Sequence, residues 1–444
     1  MRAMLLASAV LFAGPALAQH QGHAGHEPAP PPPAEAPQAP AMDHSAHQMP
    51  EAHPGETEHR MTGALGPYGM SREASGTAWQ PDSSIHGGLH AMSGDWMLMG
   101  HLSLNAVYDR QSGPRGDEMA FVSGMAMGSA RRDLGAGTLQ LRAMLSPDPL
   151  MGRRGYPLHL ASGETADGIT PLVDRQHPHD FFMELSASYS HRIGGDTSLF
   201  LYAGLPGEPA FGPPAFMHRM SIMDSPEAPI SHHWLDSTHI TFGVVTAGLI
   251  VGGVKIEGSR FNGREPDERR WDIETGPLDS TALRLSWSPT ANLSLQASWA
   301  HLVSPEQLEP GENSTRWSAS AIYTRRFGSE GWWSTTLAWG RRSGAHSQFD
   351  ALVLESAAGI GSWTLFARGE TIETDELLPA LGHHGPAFDV GKVSAGAIRD
   401  FRVAPNVRLG FGALYAVNFV PGPLEAAYRG NPDGAMAFIR LRID

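Results

Sequence analysis

The 444-residue chain has no cysteine. Disulfide staples and thiolate metal sites are therefore excluded, and any metal chemistry falls to His, Met, Asp and Glu. An excess of basic residues is missing too, with 32 Lys and Arg against 46 Asp and Glu for a formal charge of −14. That argues against nucleic acid as a partner, because phosphate neutralisation needs a clustered basic surface. It is compatible with cation traffic. Absent as well is an apolar run of the ~20 residues a membrane-spanning helix requires. The longest interior candidate, ITFGVVTAGLIVGGVKIEG, is interrupted by glycine. GxSxG, HExxH and P-loop signatures are all lacking, so the chain is not expected to be an enzyme.

What is present begins with MRAMLLASAVLFAGPALAQ. Arg2, an apolar stretch and Ala16-Leu17-Ala18 form the pattern of a secretory signal peptide over residues 1–18, giving an exported protein. Residues 19–90 are poor in Val, Ile, Phe and Tyr and rich in Pro, Ala, Gly, His and Glu. Such a stretch buries too little apolar surface to offset chain entropy, which predicts a disordered tail.

From residue 91 the texture becomes short alternating segments. In DWMLMGHLSLNAVYD, Trp96, Leu98, Leu102, Leu104 and Tyr108 share one face, while His101, Ser103, Asn105 and Asp109 share the other. LSLQASWA, RWSASAIYTRRF, SWTLFARGE and AFIRLRID repeat the pattern. No segment sustains helical periodicity, so the fold class is all-β. A soluble sandwich has the same period of two. The links decide: RRDLGAG, RIGGDT, WSPTAN, FGSEG, IGS and VAPN are short, whereas 146–180, 206–236, 262–280, 302–314, 374–387 and 420–433 are long. Short links on one side and long loops on the other predict an antiparallel outer-membrane β-barrel over 91–444, with about 16 strands. The count assumes that ITFGVVTAGLIVGGVKIEG splits near Ala247-Gly248; unsplit, it falls to about 14. A mean hydropathy of −0.24 fits a barrel with a polar lumen. With the tail in the periplasm, the short turns are periplasmic and the long loops extracellular.

Candidate metal ligands fall in three groups. Between Gln19 and His59 the tail holds seven histidines and two methionines. His20, His23 and His26 are evenly spaced, and Met42, His44, His47 and Met49 cluster beside Asp43. Imidazole suits copper, zinc and nickel, and thioether adds a preference for Cu(I). The plain alternative is a solvated tail of biased composition. Second, strand parity turns Met97, Met99 and His101 inward on the first strand and Met125 and Met127 inward on the next. A hairpin near Gly113 would set Met99 opposite Met127 and His101 opposite Met125, with Met144 close by; ordinary filling of the lumen by methionine is the competing account. Third, the long loops offer His177 and His179 beside Asp174 and Asp180, then His232, His233, Asp236 and His239 after Met217, His218 and Met220, and finally His383 and His384. Polar loops that fold over the pore and hold one another by hydrogen bonds and Arg–Asp pairs would need the same residue types.

The layout of signal peptide, a His/Met-rich stretch with the word MDHS at 42–45, and a barrel resembles copper-resistance protein B and related barrels of metal-resistance systems. The resemblance is carried by the tail, 41–49, and by architecture. It implies an outer-membrane protein that binds, and passes through its lumen, copper or a related ion such as zinc or nickel, with outer-membrane lipid and periplasmic metal-resistance proteins as partners. Two other readings stay open. One is a general diffusion porin with an incidental tail, which requires an open lumen. The other is an outer-membrane hydrolase using a pair such as Ser231 and His232.

Overall fold

A computed structural model describes residues 61–85, 87–345, 347–378 and 385–444. The strands in chain order are β1 (Leu89–Ser93), β2 (Trp96–Gln111), β3 (Glu118–Leu134), β4 (Gly137–Leu145), β5 (Tyr156–Thr165), β6 (Pro171–Gln176), β7 (Phe182–Gly194), β8 (Thr197–Gly204), β9 (Val244–Val251) and β10 (Val254–Phe261). They continue as β11 (Ser280–Thr290), β12 (Leu293–Leu302), β13 (Ser314–Phe327), β14 (Gly331–Ser343), β15 (Gln348–Ile360), β16 (Trp363–Thr374), β17 (Phe388–Ala404), β18 (Val407–Phe419) and β19 (Asp433–Ile443). Two short helices, α1 (His232–Leu235) and α2 (Gly422–Tyr428), lie in loops.

Sixteen strands, β2–β4 and β7–β19, close into one antiparallel barrel. Each pairs with the next in sequence, β4 pairs with β7, and β19 closes on β2 with Ile439 opposite Ala106 and Arg440 opposite Asn105. Strand β1 pairs with the first residues of β2. Strands β5 and β6 form a separate hairpin within the loop between β4 and β7.

Side-chain burial is inverted relative to a soluble protein. On β11, Leu283 and Leu285 are about half exposed while Arg284 between them is 2% exposed. On β10, Ile256 faces out between fully buried Lys255 and Glu257. Alternation of period two thus puts aliphatic groups where lipid replaces water and polar groups in the lumen. Exposed aromatics mark both rims: Trp287, Trp333 and Trp363 near the short turns, Tyr108, Trp317 and Tyr415 near the long loops. This is an outer-membrane barrel.

Two expectations about connectivity need correction. The turn in ITFGVVTAGLIVGGVKIEG falls at Gly252-Gly253, with Val251 opposite Val254, not at Ala247-Gly248. Gly252 sits at φ +57, a left-handed conformation that glycine adopts at little cost. Gly248 instead lies inside β9, where Phe200 packs against the space a side chain would fill. The short–long alternation is also less strict than read, because the links 112–117 and 344–347 on the long-loop side are themselves short.

The lumen is occupied from both ends. The compositional reading extends the disordered tail to residue 90, yet residues 61–85 pack inside the barrel at its short-turn end. Leu65, Tyr68 and Trp79 form a buried cluster with Phe200 and Ile250. Arg72 pairs with Asp82 at 2.6 Å, and Ser83 donates to the Thr324 carbonyl at 2.6 Å. A few aromatic residues and an internal ion pair therefore suffice once a barrel supplies the other wall. From the opposite end, the 146–181 and 205–243 loops enter the lumen, burying Leu158, Leu160, Ile222 and Leu235 against inward residues such as Phe121 and Val353. The second loop is clamped by ion pairs. Arg219 bonds Glu355 of β15 and Asp236, each at 2.7 Å, with all three side chains buried. Arg368 of β16 bonds Glu227 at 3.0 Å, and Arg440 of β19 bonds Asp224.

Candidate functional site

Five histidines from the two lumenal loops meet near the middle of the barrel. The first loop leaves β6 through His177-Pro178-His179, where the proline keeps the backbone extended. The ring centroids of His177 and His179 are 6.5 Å apart. The second loop coils through α1 and a single 3₁₀ turn, Ser237–His239. That coiling brings His232 and His239, seven residues apart, to a centroid separation of 5.1 Å. Between the loops, His179 lies 5.1 Å from His239, and His177 lies 6.0 Å from His232 and 5.6 Å from His233. Phe216 walls the cluster, stacked on His179 and edge-on to His232.

Three of the rings, His179, His232 and His239, are oriented through Nδ1. His179 Nδ1 is 2.7 Å from Asp148 Oδ2, His232 Nδ1 is 2.7 Å from Asp236 Oδ1, and His239 Nδ1 is 2.7 Å from the Asp236 carbonyl. Carboxylate and carbonyl oxygens only accept hydrogen bonds, so in the neutral rings Nδ1 carries the proton and Nε2 a lone pair. The Nε2 atoms of His179, His232 and His239 are buried and meet no hydrogen-bond partner among the described residues. Each of these three rings is thus held from behind by an acceptor, the kind of support that the supporting shell of a histidine metal site gives its ligands.

The electrostatics keep His177, His232 and His239 in ligand form. Burial, and then the neighbouring His232 and His179, push His239 well below the ordinary histidine range. Burial does the same to His177, reinforced by Arg270 and the other histidines. For His232, burial outweighs the opposing pull of Asp236, and its pKa is lowered. Burial would raise Asp236, but the Arg219 guanidinium and His232 outweigh it and hold the carboxyl ionised. Neutral imidazoles bind metal; imidazoliums do not.

On the long-loop side the cluster meets carboxylates. His177 Nε2 is 3.3 Å from Glu164 Oε1, and His233 Nδ1 is 3.4 Å from Glu265 Oε1. Gly163, at φ +103, lies against the His233 ring, and a Cβ there would sit 2.8 Å from it. Glu164 and Glu265 also line a small cavity at this end with Glu306 and Glu376.

Among the described residues, the one set of three His, Asp or Glu ligand atoms all within 4.8 Å of one another is Asp267, Asp272 and Glu274, in the 262–279 loop. The imidazoles are set wider, so an ion shared by three of them has to draw the rings inward. Asp174 and Asp180, named beside His177 and His179 in the sequence, serve structure instead. Asp174 accepts from Leu160 N–H, the Tyr428 hydroxyl and Arg115, and Asp180 pairs with Arg270 at 3.2 Å.

The methionines expected on the inward face are there, in a different register. His101 lies opposite Met127, Met99 opposite Ser129 and Ser103 opposite Met125. The hairpin is thus offset by two residues from the expected pairing, because the link spans 112–117 rather than a tight turn at Gly113. An even offset preserves which face each side chain takes. Met127 directly opposes Met144, and Met97, Met99, His101, Met125 and Met127 all line one cavity of about 100 Å³ between the 61–85 plug and the 205–243 loop. Tail residues His20, His23, His26, Met42, His44, His47 and Met49, and loop residues His383 and His384, lie outside the described residues.

Sequence reasoning passed over Asp148, Glu164 and Glu265, which no local pattern ties to the histidines. It also passed over Met223, whose signal was available: Met217, Met220 and Met223 recur every third residue in FMHRMSIMD.

No family model and no curated protein matches the sequence. Solved outer-membrane barrels do match in structure. Salmonella typhi OmpF, in complex with daunomycin, aligns with a TM-score of 0.50 and 11% identity, over 80% of this chain and 100% of its own. The outer-membrane OmpT of Vibrio cholerae gives 0.44 and 8%, over 80% and 100%, and the anion-selective porin of Comamonas acidovorans gives 0.44 and 12%, over 78% and 99%. At these identities the likeness concerns the fold.

Proposed function

We propose that this outer-membrane barrel binds a transition-metal ion inside its lumen and serves metal resistance or homeostasis, copper first, with zinc and nickel as alternatives. The observation that carries the reading is the set of buried Nε2 lone pairs on His179, His232 and His239, each ring braced through Nδ1 and none with a partner among the described residues. A cation can share such lone pairs, and imidazole suits copper, zinc and nickel. The ion is the protein's cargo. It enters past Glu164 and Glu265 or past the His/Met tail, whose tethering near the barrel gives a local concentration on the order of millimolar. Placed in the periplasm, that tail also faces periplasmic metal-resistance proteins as donors or acceptors. The occupied lumen counts against a general diffusion pore, whose expected feature is an open channel.

The test is calorimetric titration of the detergent-solubilised mature chain with Cu(II) and Zn(II), beside a variant lacking residues 19–60 and the variant H179A/H239A. The truncation should keep a binding equivalent that H179A/H239A loses. Absence of binding in the truncated chain would overturn the reading.

A further inference from the structure

A second chamber lies below the histidines, and its chemistry differs. Its cavity of about 100 Å³ is lined by Met97 and Met99 from β2, Met125 and Met127 from β3, and Met217 and Met223 from the 205–243 loop. Met70 of the 61–85 plug adds a seventh, out of 19 in the whole chain. These side chains come from the plug, the β2–β3 hairpin and the 205–243 loop, three stretches far apart in sequence, so no single local compositional bias brings them together. Methionine often fills irregular gaps in a core. Here it lines a space.

The carboxylates at this cavity are engaged elsewhere. Glu184 accepts from Arg142 at 2.7 Å, Ser186 at 2.6 Å and Tyr202 at 2.9 Å. Glu73 accepts from the Leu65 N–H at 2.9 Å and the Tyr68 hydroxyl at 3.2 Å. Seven thioether sulfurs then outnumber the imidazoles of His101 and His218 around the space, and thioethers favour soft, monovalent ions over zinc. The chamber also shares lining residues with a cavity beside the histidines. Met125, Met217 and Met223 line a neighbouring cavity of about 60 Å³ that His177 and His179 also line.

We infer that the methionine chamber is a distinct site for a soft monovalent ion, Cu(I) or Ag(I), and that the lumen is graded along its axis. Carboxylates stand at the long-loop end, imidazoles in the middle, and thioethers behind the 61–85 plug. The inference deepens the metal-binding reading and rests on it only in taking the lumen as the place where the ion resides. An ion moving along the axis exchanges ligands of stepwise changing softness, and each step is a partial replacement because neighbouring sites share lining residues.

The experiment loads the full mature chain with Ag(I), a redox-inert probe, or with Zn(II), removes free metal, and counts bound metal by mass spectrometry. The variant M125L/M127L/M217L keeps side-chain volume, a class of swap that cores tolerate. It should lose at least one equivalent of Ag(I), or bind it at least tenfold more weakly, with Zn(II) unchanged; retained Zn(II) also certifies the fold. H179A/H239A should do the reverse and lose Zn(II). Ag(I) binding unchanged in the methionine variant overturns the chamber. Zn(II) unchanged in H179A/H239A, with Ag(I) lost in the methionine variant, overturns the histidine reading and leaves the chamber standing. Should the methionine variant not fold, Ag X-ray absorption on a chain carrying M42L/M49L decides: sulfur neighbours support the chamber, and a shell of nitrogen and oxygen alone overturns it.

Discussion

His179 and His239 meet edge-on with ring centroids 5.1 Å apart, although one is carried by the loop after β4 and the other by the loop after β8. Neither loop alone makes the site. Each contributes rings braced by its own carboxylate, Asp148 for the first and Asp236 for the second.

Bracing implies that Asp148 tunes affinity without touching the ion. Loss of such a partner usually costs 10–100-fold in metal affinity. Asp148→Asn should therefore weaken Zn(II) or Cu(II) binding by roughly that factor while leaving the unfolding midpoint near its original value. Competition titration against a chelator of known affinity measures the first, and tryptophan fluorescence in urea the second. Affinity unchanged in Asp148→Asn would mean that His179 is not a ligand.

The clamp between the 205–243 loop and the wall is a buried ion pair. Removing one partner strands a charge, at a cost of about 3–5 kcal/mol, whereas replacing both with apolar residues of similar volume is often close to neutral. Glu355→Leu alone should destabilise the barrel strongly, and Arg219→Met with Glu355→Leu should recover much of the loss. Asp236 also bonds Arg219, so recovery will be incomplete. Equilibrium unfolding of the refolded protein in lipid gives both values.

Plugging from two sides should show in conductance. Planar-bilayer recordings of the full chain are expected to give small or no steady current. Deleting residues 61–85 removes the short-turn plug but leaves the clamped loop, so conductance should rise only modestly. Deleting 61–85 together with 209–238 should give a current of porin size. A full chain that conducts like an open porin would restore the diffusion-pore reading.

The lipid face can be tested by charge. Leu285 points outward on β11 and is about half exposed, beside inward Arg284. An arginine on the lipid face near mid-bilayer costs about 2–4 kcal/mol. Leu285→Arg should lower stability by that order, whereas Ile273→Arg, in the 262–279 loop, should change it little.

The β-barrel, its even strand count and the inward direction of Met97, Met99, His101, Met125 and Met127 were legible in the sequence. The barrel and its strand count follow from the pattern of short links and long loops, and the inward direction from a period of two, which is local: neighbouring residues on a strand point to opposite faces whatever pairs with them. Strand register is not local. The methionine pairs came out displaced by two residues because a link of six residues, 112–117, replaces a tight turn, and both registers satisfy the same alternation. The 61–85 plug was hidden for a related reason, since its composition cannot make a core alone and its burial depends on a wall built by β8 and β9. Likewise, nothing in the order of residues joins His179 to His239 or Arg219 to Glu355, 136 positions apart. Composition and alternation, set by the sequence, determined which side chains enter the lumen. Which of them meet there was decided only when buried charges, unable to remain unpaired away from water, chose their partners and drew the loops in with them.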